Sequence, residues 1–352
     1  MAGRKLSQNQ ARRVEKLQRR RTEHAAGEPD PDSPALDGVV ISRFGKRVDV
    51  EDPRAAGTVC RCHMRANIDS LVAGDRVVWH RDGEGGIVTA RHERATVLSR
   101  PDMHGTLRPA AANLDRIVIV IAPEPEPHAN LLDRYLAAAE DVGLQALILL
   151  NKTDLLTDPA ALEALLGVYR AIGYPVLYAS AHAGGLDELQ AALAGHTTAF
   201  VGQSGVGKSS LISALLPHEQ DIRIGELSHA VTKGRHTTTA ARLYHLPAGG
   251  DLIDSPGIRE FSLAHLDAAR TAHGFVEFRP HLGRCRFRDC VHRNEPGCAL
   301  REAVAAGTLS AARYASLLQI TGEPSLMPTH AACASASSSR CSTCCRNTCC
   351  RA

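Results

Sequence analysis

Gly202, Gly207, Lys208 and Ser209 fall in the spacing G-x-x-x-x-G-K-[ST] within "GQSGVGKSS" (202–210). Glycines at these points let successive backbone N–H groups converge on phosphate oxygens at a helix start. Gln203, Ser204, Gly205, Val206 and Ser210 complete the loop. Lys208 would reach the β- and γ-phosphates of a nucleoside triphosphate, and the Ser209 hydroxyl would ligate Mg²⁺. The apolar "TTAFV" before the loop and the helical "SSLISALL" after it supply the strand–loop–helix context that the motif demands.

Four further stretches fit the same ligand. "DSPG" (254–257) offers Asp254 to hold Mg²⁺ through water and the Gly257 N–H to sense a γ-phosphate. Asp-x-x-Gly alone is a common turn; about fifty residues after a phosphate loop it gains meaning. Between the two lies "KGRHTTTAA" (233–241), where a Thr hydroxyl would complete the Mg²⁺ shell; Thr238 is the candidate, although Thr237 and Thr239 qualify equally. A plain polar loop is the competing reading. "NKTD" (151–154) comes directly after the strand-like "LQALILL". Asp154 presents two acceptors to the N1–H and 2-amino donors of guanine, whereas adenine would leave the carboxylate unpaired. Asn151 can tie this loop to the phosphate loop, the Lys152 stem can cover the base, and Thr153 lies between them. Ser180 and Ala181, after "PVLYA", can aim N–H groups at the guanine O6.

The order along the chain is NKTD, Ser180–Ala181, phosphate loop, Thr loop, DSPG. Ordinary GTPases place the phosphate loop first. This order is a rotation of that cycle, as expected if the old termini were joined and the chain re-cut elsewhere. The strand ends of one parallel sheet converge on a ligand whatever order the chain visits them in. The segment at 254–261 then closes the G domain and runs directly into the C-terminal module, so GTP or GDP can bias that module.

A second chemistry is held by Cys285, Cys290, His292 and Cys298, spaced C-x4-C-x-H-x5-C. Three thiolates and one imidazole fit one closed tetrahedral Zn²⁺ site of structural type, with no position open for water. Free thiols in a reducing cell are the competing reading. Arg284, Arg286, Arg288 and Arg293 form a basic rim suited to RNA. Cys60 and Cys62, in an alternating run, read as ordinary strand residues.

The elements that must position these groups are visible as changes of period. "GVVISRF" (38–44), "KRVDVE" (46–51), "TVCRCH" (58–63), "DRVVWH" (75–80), "GIVTAR" (86–91) and "ATVLS" (95–99) are short β-patterned runs punctuated by Gly, Asp and Pro. They predict a small barrel, most simply the five-stranded OB type, over 38–100. A generic β-domain without a ligand is the alternative. From residue 114 strands ("RIVIVIA", "LQALILL", "PVLYA", "TTAFV") alternate with helical stretches ("NLLDRYLAAAEDVG", "DPAALEALLGVYRAIG", "LDELQAALAG"), which predicts a parallel sheet with crossovers over 105–261. Residues 262–323 read as a small helical domain around the Cys/His cluster.

The 352 residues carry a net charge of +3, unevenly placed. Residues 1–21 hold eight basic side chains against the single acid Glu15. Together with the Pro-rich stretch up to residue 37, they read as a basic arm and linker (1–37) with affinity for phosphate-rich partners. The arm lacks the apolar centre of a signal peptide; a mitochondrial targeting peptide is the weaker alternative. No apolar run approaches the length of a membrane span, so a soluble, cytoplasmic monomer is expected. Residues 324–352 contain six Cys, six Ser and no acid. They read as a disordered tail, or as a frameshifted reading of an Ala-rich gene; a second metal site at Cys341, Cys344, Cys345, Cys349 and Cys350 is the alternative.

With these pieces placed, residues 1–320 resemble the ribosome small-subunit-dependent GTPase A family of bacteria. The resemblance rests on "KLSQNQARRV", the barrel, "NKTD" before "GQSGVGKSSL", "GRHTTT", "DSPGIREF", "CRFRDCVHRNEPGC" and "RYASLL". It implies a multidomain chain: an OB-fold barrel, a circularly permuted α/β P-loop GTPase domain and a small α-helical zinc-binding domain. It also implies GTP hydrolysis stimulated by the small ribosomal subunit, rRNA binding and a role in late subunit maturation. Ile258 comes after Gly257, where many GTPases carry a water-orienting Gln, so slow hydrolysis by the isolated chain is expected. His236 is the candidate for positioning water once the subunit orders the Thr loop, with a plain loop histidine as the alternative. An RNA-binding module that holds GTP as a structural ligand is the competing function.

Overall fold

The computed structural model describes residues 34–55, 57–65, 68, 70–83, 85–102, 106–217, 241–254 and 266–322. The basic arm to residue 33, the Thr loop with His236 and Thr238, Gly257 and Ile258, and the Cys-rich tail lie outside these residues.

Five strands build the barrel: β1 (Leu36–Phe44), β2 (Arg47–Glu51), β3 (Val59–Met64), β4 (Arg76–Asp82) and β5 (Gly85–Arg91). They pair in the order β1-β2-β3-β5-β4, and β4 returns to β1, which closes the ring. The β3–β5 pair is parallel and the other four are antiparallel. Alternating side chains fill the interior with Val40, Val48, Val50, Cys62, Leu71, Val77, Val88 and Trp79, the last only 1% exposed. Cys62 is thus a barrel core residue, its thiol pushed up to about 12 chiefly by burial. The run at 95–99 does not join the ring. Its strand β6 (Val97–Pro101) pairs instead with β7 (Leu107–Ala112), which the sequence reading did not anticipate.

The second sheet runs β10 (Val176–Tyr178), β9 (Gln145–Leu150), β8 (Arg116–Ile121), β11 (Thr197–Val201), β13 (Asp251–Asp254), β12 (Arg242–His245). All neighbours are parallel except β12, a four-residue antiparallel strand. The continuous apolar strands bury both faces. In β8, Ile117, Ile119 and Ile121 point into one core while Val118 and Val120 point into the other. The first core lies under helices α1 (Ala129–Val142) and α2 (Ala160–Ile172), and the second under α3 (Leu186–Leu193) and α4 (Lys208–Leu215).

The C-terminal helices α5 (Ala268–His273), α6 (Ala299–Ala305) and α7 (Ala311–Gly322) have no core of their own among the described residues. Phe275, Phe278, Leu300, Leu309, Leu317 and Ile320 join the core beneath α1. Phe275 and Phe278 stack with ring centroids 5.1 Å apart. Arg313 of α7 is buried, 2% exposed, and spans the junction: it pairs with Asp133 of α1 and, at 2.7 and 3.0 Å, with Glu277. Its guanidinium also covers the Phe275 ring at 4.2 Å.

The barrel meets the second sheet where Ser42 of β1 pairs with Arg242 of β12. At the far end of β12, His245 touches Asp251 of β13 through Nδ1 (2.6 Å) and Glu51 of β2 through Nε2 (2.5 Å). Both ring nitrogens donate only when the ring is protonated. The hydrogen bond to Asp251 and then that to Glu51 raise its pKa to about 9 against the cost of burial. A raised folded-state value stabilises fully below the ordinary histidine range and is lost as pH rises through about 9. The stability gap between the parent and His245→Gln should therefore narrow between pH 7 and pH 10, as read by denaturant midpoints at each pH. A gap that is constant over that range would show that the ring is not a charged bridge.

Candidate functional site

The carboxyl ends of β8, β9, β10, β11 and β13 lie on one edge of the parallel sheet, and the candidate loops leave from them. The phosphate loop joins β11 to α4. Gly202 has φ 139°, and a Cβ there would sit 2.2 Å from the Val120 carbonyl oxygen, so the turn requires glycine. At Gly207 (φ 92°) a Cβ would lie 2.4 Å from Asn151 Nδ2. The Asn151 side chain occupies that space and donates to the Val206 carbonyl at 2.8 Å. Its Oδ1 is buried with no hydrogen-bond partner among the described residues. Lys208, 7% exposed, donates to the Gly202 carbonyl at 2.7 Å and to the Gln203 carbonyl. The loop thus has the cradle shape, with its ammonium drawn over the carbonyls and α4 starting at Lys208 itself. Ser204, Gly205 and Val206 lie along the same turn, and Ser209 and Ser210 are in the first turn of α4.

Lys152 takes a left-handed conformation (φ 58°), and its Nζ donates to the Glu124 carbonyl at 2.9 Å. This carbonyl, on the loop after β8, has no signal in the sequence. Thr153–Leu155 form a single 3-10 turn. The Ser180 hydroxyl donates to Asp154 Oδ1 and accepts from the His182 and Ala183 amides at 3.2 and 3.0 Å. That hydrogen bond from Ser180 is the chief cause holding the Asp154 carboxyl below the usual carboxylate range. The two sequence stretches after β9 and β10 are therefore one unit, with Ala181 beside it. Asp254 ends β13 on the same edge. Gly257, Thr238 and His236 are not among the described residues.

Away from this edge, Cys285, Cys290, His292 and Cys298 present ligand atoms that all lie within 4.8 Å of one another, an arrangement that could hold a metal ion. The three sulfurs stand 3.5, 3.6 and 3.5 Å from His292 Nδ1. Burial pushes the Cys290 thiol up to about 12 and lowers the His292 imidazole. A coordinated cation reverses the first effect, because a metal-bound thiol is deprotonated outright. Glu295, which the sequence reading passed over, accepts three backbone amides of the loop between His292 and Cys298, or just before it: Val291 (3.2 Å), Arg293 (2.8 Å) and Asn294 (3.1 Å).

A glycine-bounded loop, the Asp154–Ser180 unit and Asp254 on one edge of a six-stranded sheet, visited in rotated order, have the arrangement of a circularly permuted P-loop GTPase. A family model described as RsgA GTPase matches residues 91–264. A protein of Azotobacter vinelandii named small ribosomal subunit biogenesis GTPase RsgA is 54% identical over 335 residues, 91% of this chain and 97% of that protein. Its namesake from Pseudomonas aeruginosa is 53% identical, with the same coverage. Among solved structures, YjeQ from Thermotoga maritima superposes with a TM-score of 0.66 at 30% identity, covering 82% of this chain and 97% of its own. YloQ, described as a circularly permuted GTPase, gives 0.65 at 27% identity over 82% of this chain and 94% of its own. The chain belongs to the RsgA GTPase family, whose members are GTP hydrolases.

Proposed function

We propose that this GTPase acts on the small ribosomal subunit as a late maturation factor, binding rRNA in the GTP state and leaving after hydrolysis. The observation that carries the reading is the rotated order of the site. β13 ends at Asp254, and in sequence "SPGIREF" follows and leads into the segment that carries the metal cluster, so the proposed γ-phosphate-sensing stretch is continuous in sequence with that module. The relatives' shared name, small ribosomal subunit biogenesis GTPase, supports the choice of partner.

In this reading Asp154 reads guanine, with Ser180 fixing its carboxylate, Ala181 beside O6 and Lys152 over the base. The amides of 202–207 and the Lys208 ammonium hold the phosphates. Ser209 holds Mg²⁺, with Asp254 acting through water and Thr238 closing the shell. Gly257 senses the γ-phosphate, and His236 positions water in the subunit complex. The basic arm (1–37), the barrel (38–100) and the metal module (262–323) would supply phosphate contacts around the G domain (105–261), in a cytoplasmic monomer. The cluster would take zinc. With Zn–S near 2.3 Å and Zn–N near 2.05 Å, a tetrahedral site places S and N about 3.6 Å apart, which matches the 3.5–3.6 Å from His292 Nδ1 to the three sulfurs. Bound zinc would close the loop as a structural cross-link.

Co-sedimentation with purified small subunits tests the reading. Binding should be strong with a non-hydrolysable GTP analogue, at least tenfold weaker with GDP, and should fall steeply with added salt because phosphate contacts dominate. Equal binding in both nucleotide states would refute the switch.

A further inference from the structure

The loop that carries His292 is held by two side chains with no assigned role. Glu295 gathers three amides of residues 291–294 on its two carboxylate oxygens, Oε1 taking Val291 and Oε2 taking Arg293 and Asn294. Charge-assisted bonds of this kind are stronger than neutral ones and direct the backbone that makes them. From the other side the Tyr314 hydroxyl of α7 donates to the His292 carbonyl. Between these two restraints His292 sits at φ 63°, a left-handed conformation that a non-glycine residue rarely adopts without outside support. This conformation brings Nδ1 to within 3.5–3.6 Å of all three sulfurs. Tyr314 neighbours Arg313, which is pinned to Asp133 of α1, so the hydroxyl is mounted on the G-domain core rather than on the loop itself.

We infer that Glu295 and Tyr314 are positioning residues of the metal site: they hold His292 in the one backbone state from which its Nδ1 completes the Cys285–Cys290–Cys298 set. The inference rests on the metal reading above and adds to it the groups that preorganise the fourth ligand. Outer partners that orient metal ligands typically govern metal affinity by about 10–100-fold.

The test uses the full chain loaded with zinc and measures zinc transfer to a chromogenic chelator. Glu295→Ala should release zinc about 10–100-fold faster than the parent. Glu295→Gln, whose amide oxygen still accepts, should fall between, and Tyr314→Phe should release about tenfold faster. The cobalt-substituted forms add a signature that general destabilisation does not produce. The thiolate-to-cobalt and d–d bands of Glu295→Ala should shift and weaken, while GTP affinity stays at the parent value. Parent-like release and spectra in all three variants would overturn the inference alone. Faster release with unchanged cobalt bands and a parallel loss of GTP affinity would mark simple unfolding and would also overturn it. A parent that holds no stoichiometric metal would remove the metal reading and the inference together.

Discussion

Asp154→Asn is expected to lower GTP affinity on the order of 10⁴-fold, the scale of discrimination when a site built for hydrogen bonds loses its complement. The amide would turn an acceptor into a donor facing the N1–H and 2-amino donors of guanine. The Ser180 hydroxyl would still find the remaining oxygen, so the loop geometry should persist. Xanthosine triphosphate, with an oxygen at C2, should then bind the variant better than GTP does. Equilibrium titration with labelled nucleotides decides the matter. A variant that holds GTP like the parent would show that Asp154 does not read the base.

Arg313→Ala is expected to cost about 3–5 kcal/mol, because it removes the counter-charge of two carboxylates, Asp133 and Glu277, in the junction beneath α1 and leaves Asp133, among the described residues, only the Tyr169 hydroxyl, at 2.7 Å. Asp133 Oδ2 already lacks a partner among the described residues, so that side has little slack. For a chain of this size the melting temperature should fall by roughly 10 °C. Neutralising both acids in the Arg313→Ala background should recover part of the loss, since the penalty comes from unpaired charge and not from the missing side chain alone. A drop under about 1 kcal/mol would mean that water reaches the carboxylates once the guanidinium is gone.

The two sites differ from this junction in how visible they were from sequence. The phosphate loop, NKTD, Ser180–Ala181 and the Cys/His cluster are local strings, and each comes after a strand or turn whose period is plain, so their positions could be read residue by residue. β12 could not: "RLYH" is four residues long, antiparallel and half-exposed, too short for a period to show. β7 was hidden for a similar reason, since "LRPAAA" carries a proline and three alanines in place of β-branched residues. The sixth β-run looked like barrel because its pattern does not say which neighbour it pairs with. Arg313, Asp133 and Glu277 lie 36 to 180 residues apart, and an arginine in "AARYASLL" looks like an ordinary helix-surface cation until its neighbours are known. The same holds for His245 and Glu51, 194 residues apart. Glu295 was overlooked because a carboxylate capping amides of its own loop leaves no mark in spacing.

The most direct measurement is phosphate release at saturating GTP, with and without purified small ribosomal subunits. Turnover by the chain alone should be slow, because Ile258 has no group to orient water. Small subunits should accelerate it by at least tenfold, large subunits should not, and Lys208→Ala should abolish the stimulated rate. A rate that is the same with and without small subunits would contradict the reading of this chain as a subunit-triggered GTPase and favour a module that holds GTP as a structural ligand.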